Sequence, residues 1–316
     1  MQMTMKWIRQ LRKRCKSGRV ESPFGFRNKI DWSLVRSVSR SFYLTLRLLP
    51  RAVRSGMTLA YLLARASDTI ADTSQTEVSI RLRILKFLQH FIQQRVGEYE
   101  GVLALSHSQE HPGEKRLLEQ LPILMEVLET HPDNREIREV WGTILEGQIF
   151  DLEHSFSAPL HREQLDRYTF LVAGCVGRFW TQLCFRKIPK FASLSFQQME
   201  ELGISYGKGL QLINILRDRE EDALRGRNYL VREDVEERCK EALAAMKLGV
   251  EYAIAVNRPL LRYATLLPAL IGIRTLKLIG VQSGKVKISR AEVRRILIVA
   301  LPALWRTYST ITKYPR

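Results

Sequence analysis

Apolar residues recur three and four positions apart along nearly the whole chain, and runs that alternate apolar with polar are scarce. That period belongs to helix faces, not to strands. The pattern predicts helices over 31–49, 51–73, 77–97, 114–130, 134–155, 162–185, 195–224, 232–256, 258–279 and 289–312, an all-α fold. Asp31 has the side chain to cap the first, and Pro50 interrupts the chain before the second. The stretches 106–114, with Pro112 and Gly113, and 225–229, with Gly226, break the period and read as loops. No repeat, linker or change of composition divides the chain. Residues 31–316 therefore read as a single domain behind an N-terminal extension, 1–30.

Membrane spanning is not expected. The most apolar stretches, 263–273 and 296–305, are bounded by arginines and fall short of the roughly 18 apolar residues a span requires. They read as core helices or as segments lying on a surface. Charges at Lys6, Arg9 and Arg12 break the first apolar run, so no secretory signal is expected. Cys15, Cys175, Cys184 and Cys239 show no paired spacing and fit reduced thiols. His90, His107, His111 and His131 fall in no metal-ligand spacing. The location these features suggest is cytoplasmic.

Charge changes the picture. Fifty Lys and Arg against 33 Asp and Glu leave a formal charge of +17 over 316 residues. Such a surplus favours an anionic partner: nucleic acid, a diphosphate, or an acidic membrane face. The extension carries Lys6, Arg9, Arg12, Lys13, Arg14, Lys16, Arg19, Arg27 and Lys29 against Glu21 alone. It reads as a solvated tail, or as a peripheral tether to anionic lipid on the inner face of the membrane, where each cation contributes about 1 kcal/mol. No base-reading motif or aromatic-basic interleaving supports nucleic acid.

Two helices carry the candidate chemistry. Tyr61, Arg65, Asp68 and Asp72 are spaced by four, three and four, and so share one helical face. Gln211, Asn214, Asp218 and Asp222 share another, with Arg217, Arg225, Arg227 and Tyr229 close by. Paired carboxylates in apolar helices repel unless a cation sits between them. Oxygen ligands suit Mg²⁺, which takes one or two carboxylates and leaves places for water and phosphate. A lone pair of this kind is ordinarily a solvated face. Two pairs, each beside arginines whose fork fits phosphate oxygens, are the parts needed to ionise a diphosphate.

At these residues the chain resembles the squalene/phytoene synthase family, and within it most resembles bacterial squalene synthases. Ser39-Arg40-Ser41-Phe42 resembles the family's entry motif. Glu146, Gly147, Gln148 and Asp151 stand where members carry a Gly-x-x-x-Asp turn. Tyr168 through Val172, Ala173, Gly174 and Gly177 resembles the first signature, and Gln211 through Tyr229 the second. Arg219, Val231, Thr169, Cys175 and Arg178 depart from the usual pattern, though none removes a proposed ligand.

The resemblance implies an isoprenoid-synthase-type helical bundle around a central cavity. It also implies Mg²⁺-dependent head-to-head condensation of two farnesyl diphosphates through a cyclopropyl diphosphate, with NADPH reduction to squalene. Asp68, Asp72, Asp218 and Asp222 would bind Mg²⁺, or Mn²⁺ in its place, with Asn214 and Gln211 beside the second cluster. Arg65, Arg217 and Arg227 would hold diphosphate, and Tyr61 and Tyr229 would line the upper cavity. Ser39, Ser41 and Phe42 would flank the first substrate's head, with Tyr168, Ala173 and Gly174 also contacting substrate. Val172, Ala173, Gly174 and Gly177 have two readings, close helix packing or room for a prenyl chain. The alternatives are phytoene or dehydrosqualene synthesis without reductant, and a non-enzymatic assembly factor of the same fold. Loss of motif aspartates marks that factor, and all four are present here.

Overall fold

The computed structural model describes residues 31–39, 42–94, 100–154, 158–224, 226–280, 286–301 and 303. The extension 1–30, Arg40, Ser41 and Arg225 lie outside the described residues. Among the described residues there is no strand, only an isolated bridge between Ala192 and Val256. No described helix is long and apolar enough to cross a membrane. The helices gather into two compact units, one ending at Glu153 and one beginning at His154.

The first unit holds α1 (Trp32–Val38), α2 (Phe42–Leu48), α3 (Arg51–Asp72), α4 (Val78–Gln94), α5 (Glu100–His107), α6 (Pro112–Thr130) and α7 (Asn134–Glu153). The helix expected over 31–49 is two helices. Asp31 caps α1 by accepting from the backbone N–H groups of Ser33 and Leu34, and the chain leaves helical geometry at Ser39, whose hydroxyl donates back to the Val35 carbonyl. The short α5 was not expected, because eight residues show little more than two turns of any period; Val102 and Leu105 nevertheless bury. α6 begins two residues before the predicted start, with Pro112 at a position that needs no backbone N–H.

α3 is central to this unit. Leu59, Leu62, Leu63, Ala66 and Ile70 are fully buried on one side. Tyr61, Arg65, Asp68 and Asp72 occupy the opposite side, as a 3.6-residue period requires. Trp141 of α7 is also fully buried, and its indole N–H donates to Ser67 Oγ at 3.3 Å, tying α7 to the apolar side of α3.

The second unit holds α8 (Arg162–Thr169), a π turn (Phe170–Gly174), α9 (Cys175–Lys187), α10 (Phe196–Leu224), a 3₁₀ turn (Arg232–Asp234), α11 (Val235–Ala255), α12 (Pro259–Ile279) and α13 (Arg290–Val299). The predicted helix 162–185 is thus interrupted. Apolar spacing alone does not register a π turn, because one inserted residue shifts the face without breaking it.

The small residues of this stretch bring α9 against α10. A Cβ added at Gly177 would lie 2.0 Å from the Gly203 carbonyl oxygen, and one at Gly207 2.4 Å from that of Ala173. Of the two readings of these residues, close helix packing is the one the geometry displays at Ala173 and Gly177. A Cβ at Gly174 would meet Lys208 Cγ at 2.9 Å and the Phe170 ring at 3.1 Å.

Candidate active site

Each unit builds an acidic stripe. In the first, Arg65 lies between two carboxylates, donating to Asp68 Oδ2 and to Glu114 Oε1, both at 2.5 Å. Burial works against the Arg65 charge, but Asp68 and Glu114 outweigh it and hold the guanidinium charged. Its Nε is buried with no hydrogen-bond partner among the described residues, which leaves a donor to spare. Tyr61 Oη donates to the Val38 carbonyl at 3.0 Å, and burial pushes its phenol up to about 12, so it remains protonated.

Asp68 is the strained member. Burial, then the neighbouring Asp72 carboxylate, push it up to about 6 against the opposing pull of Arg65. Its side chain still shows 43% of its surface, so protein crowds the carboxyl without closing it off from a ligand. Asp72, one turn on, is exposed.

In the second unit the stripe runs along α10. Leu212, Ile213, Ile215 and Leu216 are buried, while Gln211, Asn214, Arg217, Asp218 and Asp222 keep solvent access. Arg217 takes both oxygens of Asp218, Nε to Oδ1 at 2.8 Å and Nη2 to Oδ2 at 2.5 Å. That hydrogen bonding is the main cause of its raised pKa. Asn214 donates to Gln211 Oε1 at 3.4 Å.

After α10 the chain turns at Gly226, whose φ of +76° lies in the left-handed region that glycine enters without strain. The Arg227 N–H then returns to the Asp222 carbonyl at 2.8 Å. Tyr229 is buried and stacks on Tyr168, with ring centroids 5.4 Å apart and planes at 17°. A cavity of about 460 Å³ opens beside this turn, with Arg219 and Glu220 of α10 and Arg227, Asn228 and Tyr229 on its wall.

Four of the five departures from the family pattern are locally satisfied, and the fifth, Val231, is exposed. Thr169 Oγ1 donates to the Asp166 carbonyl at 2.9 Å and Cys175 Sγ to that of Leu171 at 3.0 Å. Burial pushes the Cys175 thiol up to about 12, so it stays an inert thiol. Arg178 sets its guanidinium 5.3 Å from the Phe170 ring centroid, and Arg219 donates to the Leu216 carbonyl at 3.1 Å.

Among the remaining sequence-derived candidates, Ser39 is buried and bonded to its own helix, and Phe42 opens α2. Ser41 lies outside the described residues. The sequence reading missed Glu114. Its pairing with Arg65 joins residues 49 positions apart, a tertiary contact that no local pattern announces.

Among the described residues no three His, Cys, Asp or Glu side chains converge on a metal-sized site. A metal at either stripe would therefore take at most two carboxylates from that stripe, with water and substrate oxygens completing its shell. That is how Mg²⁺ is usually held. The mutual repulsion of Asp68 and Asp72 and the spare Arg65 Nε fit a cation and a phosphate oxygen respectively.

The squalene/phytoene synthase family model matches residues 35–246, a stretch that takes in both stripes. The chain belongs to the squalene/phytoene synthase family. Among its relatives, the squalene synthase of Saccharomyces cerevisiae is 30% identical over 206 residues, 64% of this chain and 45% of that protein. The presqualene diphosphate synthase of Zymomonas mobilis is 31% identical over 220 residues, 70% of this chain and 64% of that one. A bifunctional lycopene cyclase/phytoene synthase of Phaeosphaeria nodorum is 30% identical over 61% of this chain and 32% of its own length. The matches thus span less than two thirds of each of these relatives.

The fold is also that of solved family structures. TcSQS in complex with a ligand superposes with a TM-score of 0.70 at 20% identity, over 90% of this chain and 88% of that one. A dehydrosqualene synthase with ligand gives 0.59 at 21%, over 87% and 95%. The architecture is accordingly the all-α, isoprenoid-synthase type.

Proposed function

We propose that this family member joins two farnesyl diphosphates head to head, through a cyclopropyl diphosphate, and reduces the product to squalene with NADPH. The observation that carries the reading is a device present in each unit. An Asp-x-x-x-Asp stripe lies opposite the buried side of a helix, and an arginine grips its first aspartate, Arg65 on Asp68 and Arg217 on Asp218.

Mg²⁺, with Mn²⁺ as a substitute, supplies Lewis-acid stabilisation of charge building on the departing diphosphate. Asp68 and Asp72 on one helix, and Asp218 and Asp222 with Asn214 on the other, are the residues to hold it. Arg65, Arg217 and Arg227 bind diphosphate oxygens, and on substrate binding the two gripped arginines trade a carboxylate for a phosphate. Their planar fork suits either partner. Tyr61 and Tyr229 place a phenol or a ring face where an allylic cation gains from both. The first substrate loses diphosphate, its allylic cation is attacked by the double bond of the second, and loss of a proton closes the cyclopropane. A second loss of diphosphate and rearrangement give a 1-1′ cation that takes hydride from NADPH.

A second reading, phytoene or dehydrosqualene synthesis without reductant, draws support from the similarity to the bifunctional phytoene synthase. A third, release of the cyclopropyl diphosphate itself, draws support from the presqualene diphosphate synthase. The test is product analysis by gas chromatography and mass spectrometry. The protein receives farnesyl diphosphate and Mg²⁺ with and without NADPH, with geranylgeranyl diphosphate in parallel. Squalene formed only with NADPH supports the first reading. A C30 or C40 polyene without reductant, or a cyclopropyl diphosphate that persists with NADPH present, replaces it.

A further inference from the structure

α13 packs on α12 through one side only. Ile296 and Ala300 enter a cluster with Ala253, Leu266 and Leu270, and Tyr263 Oη donates to the Leu297 carbonyl at 3.0 Å. The opposite side is open to solvent. Along it, at helical spacing, stand Arg290, Arg294, Leu297 and Ile298, with Arg295 at the flank and Leu301 two residues past the helix's end. The apolar members are far from buried: Leu297 is 37% exposed, Ile298 65% and Leu301 41%. Leu260, one turn before Tyr263 on α12, is 60% exposed.

The charge on this face is of one sign. Glu292 is the only acid of α13. It closes the helix cap with Ser289 and pairs with Arg274 of α12, so it faces inward and leaves the arginines uncompensated. Arg290, Arg294 and Arg295 are exposed and take no acidic partner among the described residues.

We infer that this face of α13 docks on the surface of an anionic lipid bilayer, with Leu297, Ile298 and Leu301 entering the headgroup boundary and the three arginines meeting lipid phosphates. The charge pattern selects this occupant over two others. The chain's own extension 1–30 carries nine bases against one acid and would be repelled. A second copy would set the same arginines against one another. An anionic surface satisfies both halves of the face at once, since apolar burial and charge attraction act together at an interface.

Binding is read without turnover, so the inference stands or falls apart from the catalytic reading. The protein is co-sedimented with vesicles of phosphatidylcholine alone and of phosphatidylcholine with phosphatidylglycerol. Binding is expected to the anionic vesicles and to weaken with salt. Removing Arg290, Arg294 and Arg295 as alanines should lower the partition coefficient about fivefold for each, the equivalent of about 1 kcal/mol per cation. Ile298→Ser with Leu301→Ser should lower it about tenfold at constant charge.

In an otherwise unchanged chain, Ile298→Trp should blue-shift its emission on adding anionic vesicles. That second measurement does not depend on the stability of the serine variant. Anionic-vesicle binding that the serine substitutions leave as strong as in the wild type, or an Ile298→Trp emission unmoved by vesicles, overturns the inference. So does a self-association seen by sedimentation velocity that the serine substitutions abolish while vesicle binding is kept.

Discussion

Arg217 clasps its sequence neighbour Asp218 through both carboxylate oxygens, at 2.8 and 2.5 Å. A residue proposed to hold a metal and a residue proposed to hold diphosphate therefore satisfy each other when neither ligand is bound. Arg65 and Asp68 repeat the arrangement at 2.5 Å. The pairing keeps half-buried charge compensated in the free protein. In the proposed site, ligand binding would exchange these partners, each aspartate taking metal and each arginine phosphate.

Replacing Asp218 with Asn keeps the side chain's shape but removes its charge and one of the two acceptors that Arg217 grips. The expected result is a folded protein whose turnover falls by about 10²–10³, the usual loss when a group stabilising developing charge is removed. Arg217→Lys should retain the charge and still lose much of the rate, because a lysine cannot hold two oxygens in one plane. Steady-state kinetics beside a circular dichroism spectrum checks both; full activity in Asp218→Asn would remove this residue from the proposed site.

Asp68 makes stability depend on pH in a fixed direction. Its carboxyl is raised from an ordinary 3.8 to about 6, so the folded, ligand-free protein holds that proton more tightly than the unfolded chain does. Its stabilising contribution is complete below about 3.8 and is lost as pH rises through about 6. Melting of the ligand-free wild type should therefore lose ground between about pH 4 and 6 relative to Asp68→Asn, which cannot titrate there. Thermal melts of the two proteins across that window measure it, and parallel curves would contradict it.

Two glycines should fail for different reasons. Gly177→Ala forces a methyl to within 2.0 Å of the Gly203 carbonyl, so α9 and α10 must separate, at a cost of about 1–3 kcal/mol. Gly226→Ala meets nothing within 4 Å, but φ is +76°, and the left-handed backbone alone costs about 1–2 kcal/mol. Denaturant titration should show both losses. Only Gly226→Ala should act mainly on the turn that carries Arg227 and Tyr229, lowering activity more than its stability loss explains.

Most helices were legible because α3 and α10 keep a buried apolar side along their length, and Asp68, Asp72, Asp218 and Asp222 mark the opposite side at intervals a reader can count. Glu114 was not legible, since its role comes from a contact with Arg65 across 49 positions. The break after Val38 and the π turn at Phe170–Gly174 were missed for a related reason. Each alters the backbone by one or two residues while leaving the apolar spacing nearly intact. The close packing of the small residues at 173–177 became visible only with the α10 backbone beside them, because a sequence shows that a residue is small but not what approaches it.

The measurement that bears most directly on the proposed chemistry is Mg²⁺-dependent release of diphosphate from farnesyl diphosphate by the wild type, Asp68→Asn and Asp218→Asn. Release by the wild type should stop when the metal is chelated, and each variant should lose that release while remaining folded. Release that persists in either variant, or a folded wild type that releases none with Mg²⁺ supplied, would contradict it.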